Sequence, residues 1–373
     1  MKKLLYVSFE ESENRASGVN KKINAQMKVF EDEGFSTDLL ARYQDKIALY
    51  HGGQDPMIYK AKMPWRISLC DWVAKHAKDY NYAYIRFQFF CPFVLNMLHS
   101  LHKAAVKIIM EIPTYPYVPE LKKQGLRGIP KRIIDATFRN ACAANIDCFA
   151  APLYENDILK KKCLEIRNGI EVNEIKERKG RSENGTIHLL AVAMMAPWHG
   201  YDRMNEGLNR YYSSGGERDL ILHLVGQGAA SAGYNDLVSR YGLSDHVVQH
   251  GKLHGIELEK MYDITDIGVG SLGIHRTGVQ KTNTLKILEY MAKGMPVICE
   301  HSECGIPTDS PYRMTVSDDD SAIPILEVIK FYEDVYQHRD TKQVIEEIRK
   351  ECSASCNVKS GMEPVLNFFE ASD

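Results

Sequence analysis

The chain has 373 residues, too long for one ordinary hydrophobic core, so two domains are the expectation. Its 44% hydrophobic and 26% charged residues are those of a water-soluble globular protein, and a net charge of −2 carries no general nucleic-acid signature. No apolar run nears the roughly 20 residues that span a bilayer, and nine cysteines without a C-x-x-C pair fit reduced core thiols, not a disulfide framework or a zinc site. Residues 1–175 hold 26 Lys+Arg against 20 Asp+Glu, and residues 176–373 hold 21 against 29. The basic half suits an anionic partner, with an uneven scatter of surface charge as the alternative.

The opening MKKLLYVSFEES has too short an apolar segment for a signal peptide and reads as a first buried strand. Strand-like runs at 4–9, 37–41, 83–87, 106–111 and 148–151 alternate with helical patterns at 19–33, 66–78, 92–103 and 131–144. Such alternation builds a parallel sheet with helices on both faces. The first turn carries Ser17-Gly18-Val19-Asn20-Lys21-Lys22. Gly18 lets backbone approach a ligand, and the helix dipole favours an anion. The plain alternative is a tight turn capped by Ser17. The dinucleotide fingerprint G-x-G-x-x-G is absent. After the run 106–111 comes Glu111-Ile112-Pro113-Thr114-Tyr115-Pro116-Tyr117. Its carboxylate suits sugar hydroxyls and its tyrosine rings suit sugar faces, with an ordered surface loop as the alternative.

The first pattern ends near Arg167-Asn168-Gly169-Ile170. The polar stretch 174–185, EIKERKGRSENG, is the best linker candidate. A second series follows, with strands at 187–194, 220–225, 247–249, 267–269 and 296–299. Helices are expected at 202–212, 235–241, 257–262 and 284–293, with a helical tail over 321–336 and from 340 on. Two consecutive doubly wound domains with a cleft between them are the simplest architecture, and ligands in such sheets bind beyond the carboxyl ends of the strands.

Chemistry concentrates in the turns of this second series. Ala196-Pro197-Trp198-His199-Gly200-Tyr201-Asp202-Arg203 puts His199 and Arg203 near a helix start, where both suit a diphosphate; His199 as an ordinary turn residue is the alternative. Gly226 and Gly228 permit close ligand approach, as in many α/β turns. Arg276, Lys281 and Lys286 are cations for phosphates. In 282–299, TNTLKILEYMAKGMPVIC, a polar turn opens a helix that stops at Gly294, and Pro296 opens a buried strand. The helix N-terminus leaves amides free for an anion. Glu289, about one and a half turns in, can accept two ribose hydroxyls; pairing with Lys286 or Lys293 is the alternative. Ser317-Asp318-Asp319-Asp320 reads as a helix N-cap, not a metal site. No H-E-x-x-H, G-x-S-x-G or Walker A pattern occurs.

Together these segments resemble the retaining glycosyltransferases of family 4. LKILEYMAKGMPVI is similar to that family's signature around a conserved glutamate, so Glu289 takes the ribose. Thr282, Asn283, Thr284 and Leu285 match the turn whose amides meet donor sugar and diphosphate. WHGYDR resembles a family variant at the diphosphate, Arg167–Ile170 the segment ending the acceptor domain, and Val247–Gly251 the strand and turn where the base sits, with Gln249 there. EIPTYPY resembles the acceptor side of bacterial capsule and exopolysaccharide transferases. Where the family has a first glutamate, an arginine and a lysine, this chain has Lys281, Met194 and His199.

The resemblance implies an α/β GT-B fold, with two Rossmann-like doubly wound domains facing a central cleft. An acceptor domain at 1–175, a nucleotide-sugar domain at 176–352 and a C-terminal helix in 353–373 packing back on the first domain are expected. Catalytic residues would be Glu111, His199 and Lys286. The donor would meet Gly18, His199, Arg203, Gly226, Gln249, Thr282–Leu285 and Glu289, and the acceptor Asn20, Lys21, Tyr115 and Tyr117. The implied reaction moves a sugar from a UDP- or GDP-type nucleotide-sugar to a saccharide or lipid-linked saccharide in surface polysaccharide synthesis. The leaving diphosphate helps remove the acceptor proton, and no metal or other cofactor is implied. A cytoplasmic location follows, with peripheral membrane contact through Lys160–Lys162 and the 127–139 region and no nucleic-acid partner. The alternatives are a non-catalytic nucleotide-sugar-binding protein and a sugar-nucleotide epimerase on the same scaffold.

Overall fold

The computed structural model describes residues 2–13, 18–52, 55–61, 64–113, 115–118, 128–154, 156–182 and 184–371. Ser17, Thr114 and Arg127, all singled out above, lie outside them. The chain divides into two compact units, Met1–Arg167 with Val358–Asp373, and Asn168–Asn357. It passes between them at 167/168 and 357/358, some residues from the expected 175/176 and 352/353.

Among the described residues the first unit has one eight-stranded sheet. In chain order come β1 (Lys3–Glu11), α1 (Gly18–Asp32), β2 (Ser36–Tyr43), β3 (Lys46–His51), β4 (Met57–Tyr59), α2 (Trp65–His76), β5 (Tyr82–Arg86), α3 (Pro92–Lys103), β6 (Lys107–Glu111), α4 (Ile129–Ala144), β7 (Cys148–Pro152) and β8 (Cys163–Ile166). The strand order is β4-β3-β2-β1-β5-β6-β7-β8. All pairings are parallel except those of β3 and β4, which depart from the expected parallel sheet. The cause is a two-residue reversal. Tyr43 pairs with Lys46 across Gln44-Asp45, and Gln44 takes φ 55°. Primed hairpin turns need such a conformation, and the usual Asn-Gly or Asp-Gly marker is missing.

Strand β5 is buried along its length and β1 from Leu4 to Phe9, as strands covered on both faces must be. The C-terminal helix Val358–Glu370 belongs to this unit and closes its core. Phe369 lies 4.9 Å from Tyr82, 6.0 Å from Phe35 and 6.1 Å from Phe30, ring centre to ring centre.

The second unit runs β9 (Ile187–Val192), α5 (Tyr201–Ser213), β10 (Leu220–Val225), α6 (Ser231–Tyr241), β11 (Val247–Gly251), α7 (Ile256–Ile264), β12 (Ile267–Val269), α8 (Leu285–Ala292), β13 (Val297–Glu300), β14 (Arg313–Val316), α9 (Ile325–Tyr336) and α10 (Thr341–Ser355). Its strands are parallel in the order β11-β10-β9-β12-β13-β14. The order reverses at β9, with β10 on one side and β12 on the other. Open α/β sheets carry their ligand crevice at such a point.

Two expectations are corrected here. The stretch 174–185 is not a linker but part of the second unit. Arg178, 1% exposed, donates to the Thr265 carbonyl and the Tyr336 hydroxyl, and Arg181 donates to the Tyr332 hydroxyl at 2.7 Å. Arginines anchored on carbonyls and rings hold a segment that has no apolar period. The 317–320 acids do not cap a helix either. Helix α9 starts at Ile325 behind Pro324, and Asp319 closes its own turn by accepting from the Ser321 N–H at 2.8 Å.

Phe369→Ala is expected to destabilise the first unit, which holds Trp65 and Trp72, by about 3–5 kcal/mol. Urea unfolding of the full chain followed by tryptophan fluorescence measures this. An unmoved transition would show that the C-terminal helix is not part of that core.

Candidate functional site

Loops leaving the carboxyl ends of β9 and β12 meet through their backbones. Pro197 opens a tight turn ending at His199, and Gly200 takes φ +64°. A Cβ on Gly200 would lie 2.4 Å from the Leu272 carbonyl, so only glycine fits. The Leu272 N–H donates to the His199 carbonyl at 2.9 Å and ties the two loops. This places Ser271 beside His199, and α8 brings Lys286 to the same point.

Lys286 Nζ donates to His199 Nδ1 at 3.0 Å and lies 3.4 Å from the Tyr201 hydroxyl. The Ser271 hydroxyl reaches the same Nδ1 at 3.0 Å. Burial and the neighbouring Lys286 push the His199 imidazole down to about 3, so the ring is neutral. With Nδ1 receiving both contacts, the ring proton sits on Nε2, and the Met194 carbonyl is a further hydrogen-bond partner of the ring. Burial pushes the Lys286 ammonium down to about 7, against the pull of Glu303. A desolvated cation held by a neutral imidazole is an arrangement that an anion completes.

The turn before α8 is tightly held. The Thr282 N–H donates to the Ser302 carbonyl at 2.7 Å, and the Thr282 carbonyl accepts from the Cys304 N–H at 2.7 Å. Asn283 is buried, its carbonyl accepts from Asn168 Nδ2 at 2.7 Å, and its side-chain amide has no partner. The Thr284 N–H is occupied by the Glu303 carboxylate, which corrects the expectation of a fully open helix N-terminus. Leu285 is exposed. Glu289, one turn on, accepts from the Tyr262 hydroxyl at 3.2 Å. Neither pairing considered for it occurs, since Lys293 bonds Glu259 at 2.6 Å and Lys286 is engaged with His199. Gln249 on β11 has its amide nitrogen buried without a partner.

Other expected donor contacts are structural. Arg203, 2% exposed, donates to the carbonyls of Leu272, Ser317 and Ser321 and to Glu300, so no phosphate is needed to satisfy it. Arg276 holds Asp202 through two bonds at 2.9 and 2.7 Å and Asp320 through one at 2.7 Å. Gly226 is a glycine because a Cβ there would lie 1.7 Å from the Ala193 carbonyl oxygen, and Gly228 likewise meets the Met195 carbonyl at 2.2 Å. The close approach is by protein backbone, not by a ligand. Lys281 is exposed.

In the first unit Glu111 ends β6 with no exposed surface. It accepts from Lys22 at 3.0 Å, Arg86 at 2.8 Å, Tyr84 at 2.7 Å and Gln26 at 3.0 Å. Burial raises its carboxyl, but Lys22 and Arg86 outweigh that and hold it at about 2. Its expected catalytic position is thus filled by a sealed ionic brace. Asn20 is buried, with its amide on the Glu11 carbonyl at 2.7 Å. Tyr117 is buried with its hydroxyl on Asp135 at 3.0 Å, so its ring is not free to stack on a sugar. Gly18 and Lys21 are exposed at the start of α1, and Tyr115 is half-buried, 4.5 Å from Tyr154.

Ser271, Glu300 and Glu303 escaped the sequence reading, as did Gln26 and Arg86. Gln26 carries a usable signal, a polar residue on the buried face of α1 with Ile23 and Phe30. Glu303 sits in a connection without period and carries none.

No protein-family model and no curated protein matches the chain. Solved structures do. Sucrose-phosphate synthase from Thermosynechococcus elongatus is similar with a TM-score of 0.64 and 15% identity, over 100% of both chains. The catalytic domain of starch synthase IV from Arabidopsis thaliana, bound to ADP and acarbose, gives 0.64 at 10% identity over 100% of this chain and 99% of that one. Anabaena HepE in complex with UDP gives 0.59 at 11% identity over 100% of both. The likeness is one of fold, an α/β GT-B architecture of two Rossmann-like units.

Gly200→Ala is expected to cost about 2 kcal/mol or more, because a side chain is strained at that φ and collides with Leu272. Gly233→Ala, in the exposed interior of α6 with open space around it, is expected to stabilise by about 0.5–1 kcal/mol. Thermal unfolding of both variants checks the pair. Equal shifts would remove the steric account of the loop contact.

Proposed function

We propose that the chain is a glycosyltransferase that moves a sugar from a UDP- or GDP-type nucleotide-sugar, with retention, to a saccharide or lipid-linked saccharide in surface polysaccharide synthesis. The observation that carries this is the Lys286–His199 pair at the point where strand order reverses, in the same unit as Glu289. The fold likeness to structures described as bound to UDP and to ADP supports a nucleoside diphosphate as the ligand.

Glycosyl transfer breaks the bond between the anomeric carbon and a phosphate oxygen, and negative charge grows on the leaving diphosphate. The Lys286 ammonium is the group offered to that charge, with the His199 imidazole holding it in place. The acceptor oxygen bonds to the anomeric carbon on the face that the diphosphate leaves, and its proton passes to the diphosphate. No protein nucleophile and no metal enter this reading. Glu289 takes the ribose hydroxyls, and the unpartnered Gln249 amide supports a place for the base. Lys21 and Tyr115 remain for the acceptor. A thermal-shift panel of UDP, GDP and ADP with their sugars is expected to show one clear stabiliser. Glu289→Ala should weaken that ligand at least about tenfold, the worth of a charged hydrogen bond, with the fold intact. Failure of every nucleotide to bind would sink the proposal, and undiminished affinity in the variant would remove the ribose role.

Peripheral membrane contact belongs to the same reading. Helix α4 leaves Ile129, Ile133 and Ile134 exposed, with Arg132 beside them. Apolar and basic groups on one helix suit an anionic bilayer, where a lipid-linked acceptor would lie. No helix among the described residues is long and apolar enough to cross a membrane. Sedimentation with anionic vesicles at low salt should retain the protein, and Ile133→Glu should reduce the bound fraction severalfold. Wild-type protein left in the supernatant would end this part of the proposal.

A further inference from the structure

Glu303 is a buried carboxylate, 3% exposed, on the connection after β13. It reaches the start of α8, where Oε2 accepts from the Thr284 hydroxyl at 2.8 Å and from the Thr284 N–H at 3.2 Å. Oε1 accepts from the Gly305 N–H at 2.9 Å. Backbone bonds from Thr282 to Ser302 and from Cys304 to Thr282 run alongside, so connection and turn are laced together over three residues. Gly305 completes the fit. A Cβ there would lie 2.4 Å from Asn283 Nδ2 and 2.8 Å from Glu303 Oε1.

Lys286 follows two residues after this latch. The polar and titratable groups that face it come from three elements: His199 from the turn after β9, Tyr201 from α5 and Glu303 from the connection after β13. Burial raises the Glu303 carboxyl, and the bonds from Thr284 and Gly305 together with the Arg313 guanidinium of β14 pull it back toward the charged form. Glu303 is the carboxylate whose field reaches the Lys286 ammonium, opposing the loss of charge that burial enforces.

We infer that Glu303 is a positioning residue of the donor site: it locks the turn at the start of α8 and keeps the Lys286 ammonium charged for a diphosphate. This rests on the donor-site reading above. Glu303 does not touch the ligand in this account. Its negative charge at the helix end also directs phosphates away from the Thr284 amide and toward Lys286.

The test is calorimetric titration of the full chain with UDP, ADP and GDP between pH 5.5 and 8.5. Binding an anion favours charged Lys286, so wild-type affinity is expected to begin falling as pH rises through about 7. The phosphates of the ligand titrate alike in every variant. In Glu303→Gln the fall should begin about one pH unit lower, costing about tenfold in affinity at pH 7.5 and little at pH 5.5. In Lys286→Arg, whose guanidinium does not titrate here, the residue at 303 should no longer move the onset. Loss of the same size at every pH would make Glu303 merely structural, and an unmoved onset would overturn the inference. Glu303→Asp carries the test if the glutamine variant does not fold: it withdraws the charge by one methylene and should move the onset in the same direction by less, and an unmoved onset there is equally decisive. Absence of nucleotide binding by the wild type at any pH would instead defeat the donor-site reading itself.

Discussion

The second unit's site depends on two backbones being able to touch. Gly200 and the Leu272–Gly273 segment approach at distances that any side chain on Gly200 would forbid. That contact brings the loops after β9 and β12 together and makes neighbours of His199 and Ser271. Tyr201, the residue after Gly200, is buried with its ring stacked at 13° to the imidazole, which fixes the plane of His199. Lys286 then arrives from α8 with its charge among groups already in place. The side chains that look chemical are carried to the site by packing that is not.

Buried ions serve as braces in both units, and at comparable places. Glu111 is the last residue of β6 and Glu300 the last of β13, each at the carboxyl end of a strand. Arg86 answers the first and Arg203 the second. Such pairs contribute little net stability, because desolvation offsets their attraction, but removing one partner leaves an uncompensated charge inside the protein. Their effect is to fix geometry where loops begin. A ligand-binding arginine and a bracing arginine are the same residue in the same kind of turn, and only the carbonyls around it tell them apart.

This is why the fold was more legible than the site. The central strands announce themselves by unbroken apolar runs, and the β-α alternation led to two doubly wound units. Of the strands that escaped, β4, β8 and β14 are short and lie at sheet edges, and β3 is the antiparallel return of a hairpin whose turn carries no glycine marker. Among site residues, His199, Lys286 and Glu289 stand in turns whose local pattern is informative. The fate of Arg203 depends on carbonyls at Ser317 and Ser321, more than a hundred residues away, and that of Tyr117 on Asp135 of α4. Whether a donor is free or occupied is a property of such distant contacts, and no local spacing encodes it.

The helix Val358–Glu370 closes the core of the first unit although the whole second unit precedes it in the chain. During synthesis the rings of Phe30, Phe35 and Tyr82 therefore wait uncovered while Asn168–Asn357 is being made. At ribosomal rates of about 5–20 residues per second that interval is about 10–40 s. The second unit, continuous in sequence, is complete first, and the first unit is the last to be finished. A nascent chain of this protein spends that interval with an apolar sheet face open, a period in which chaperone binding competes with mispairing.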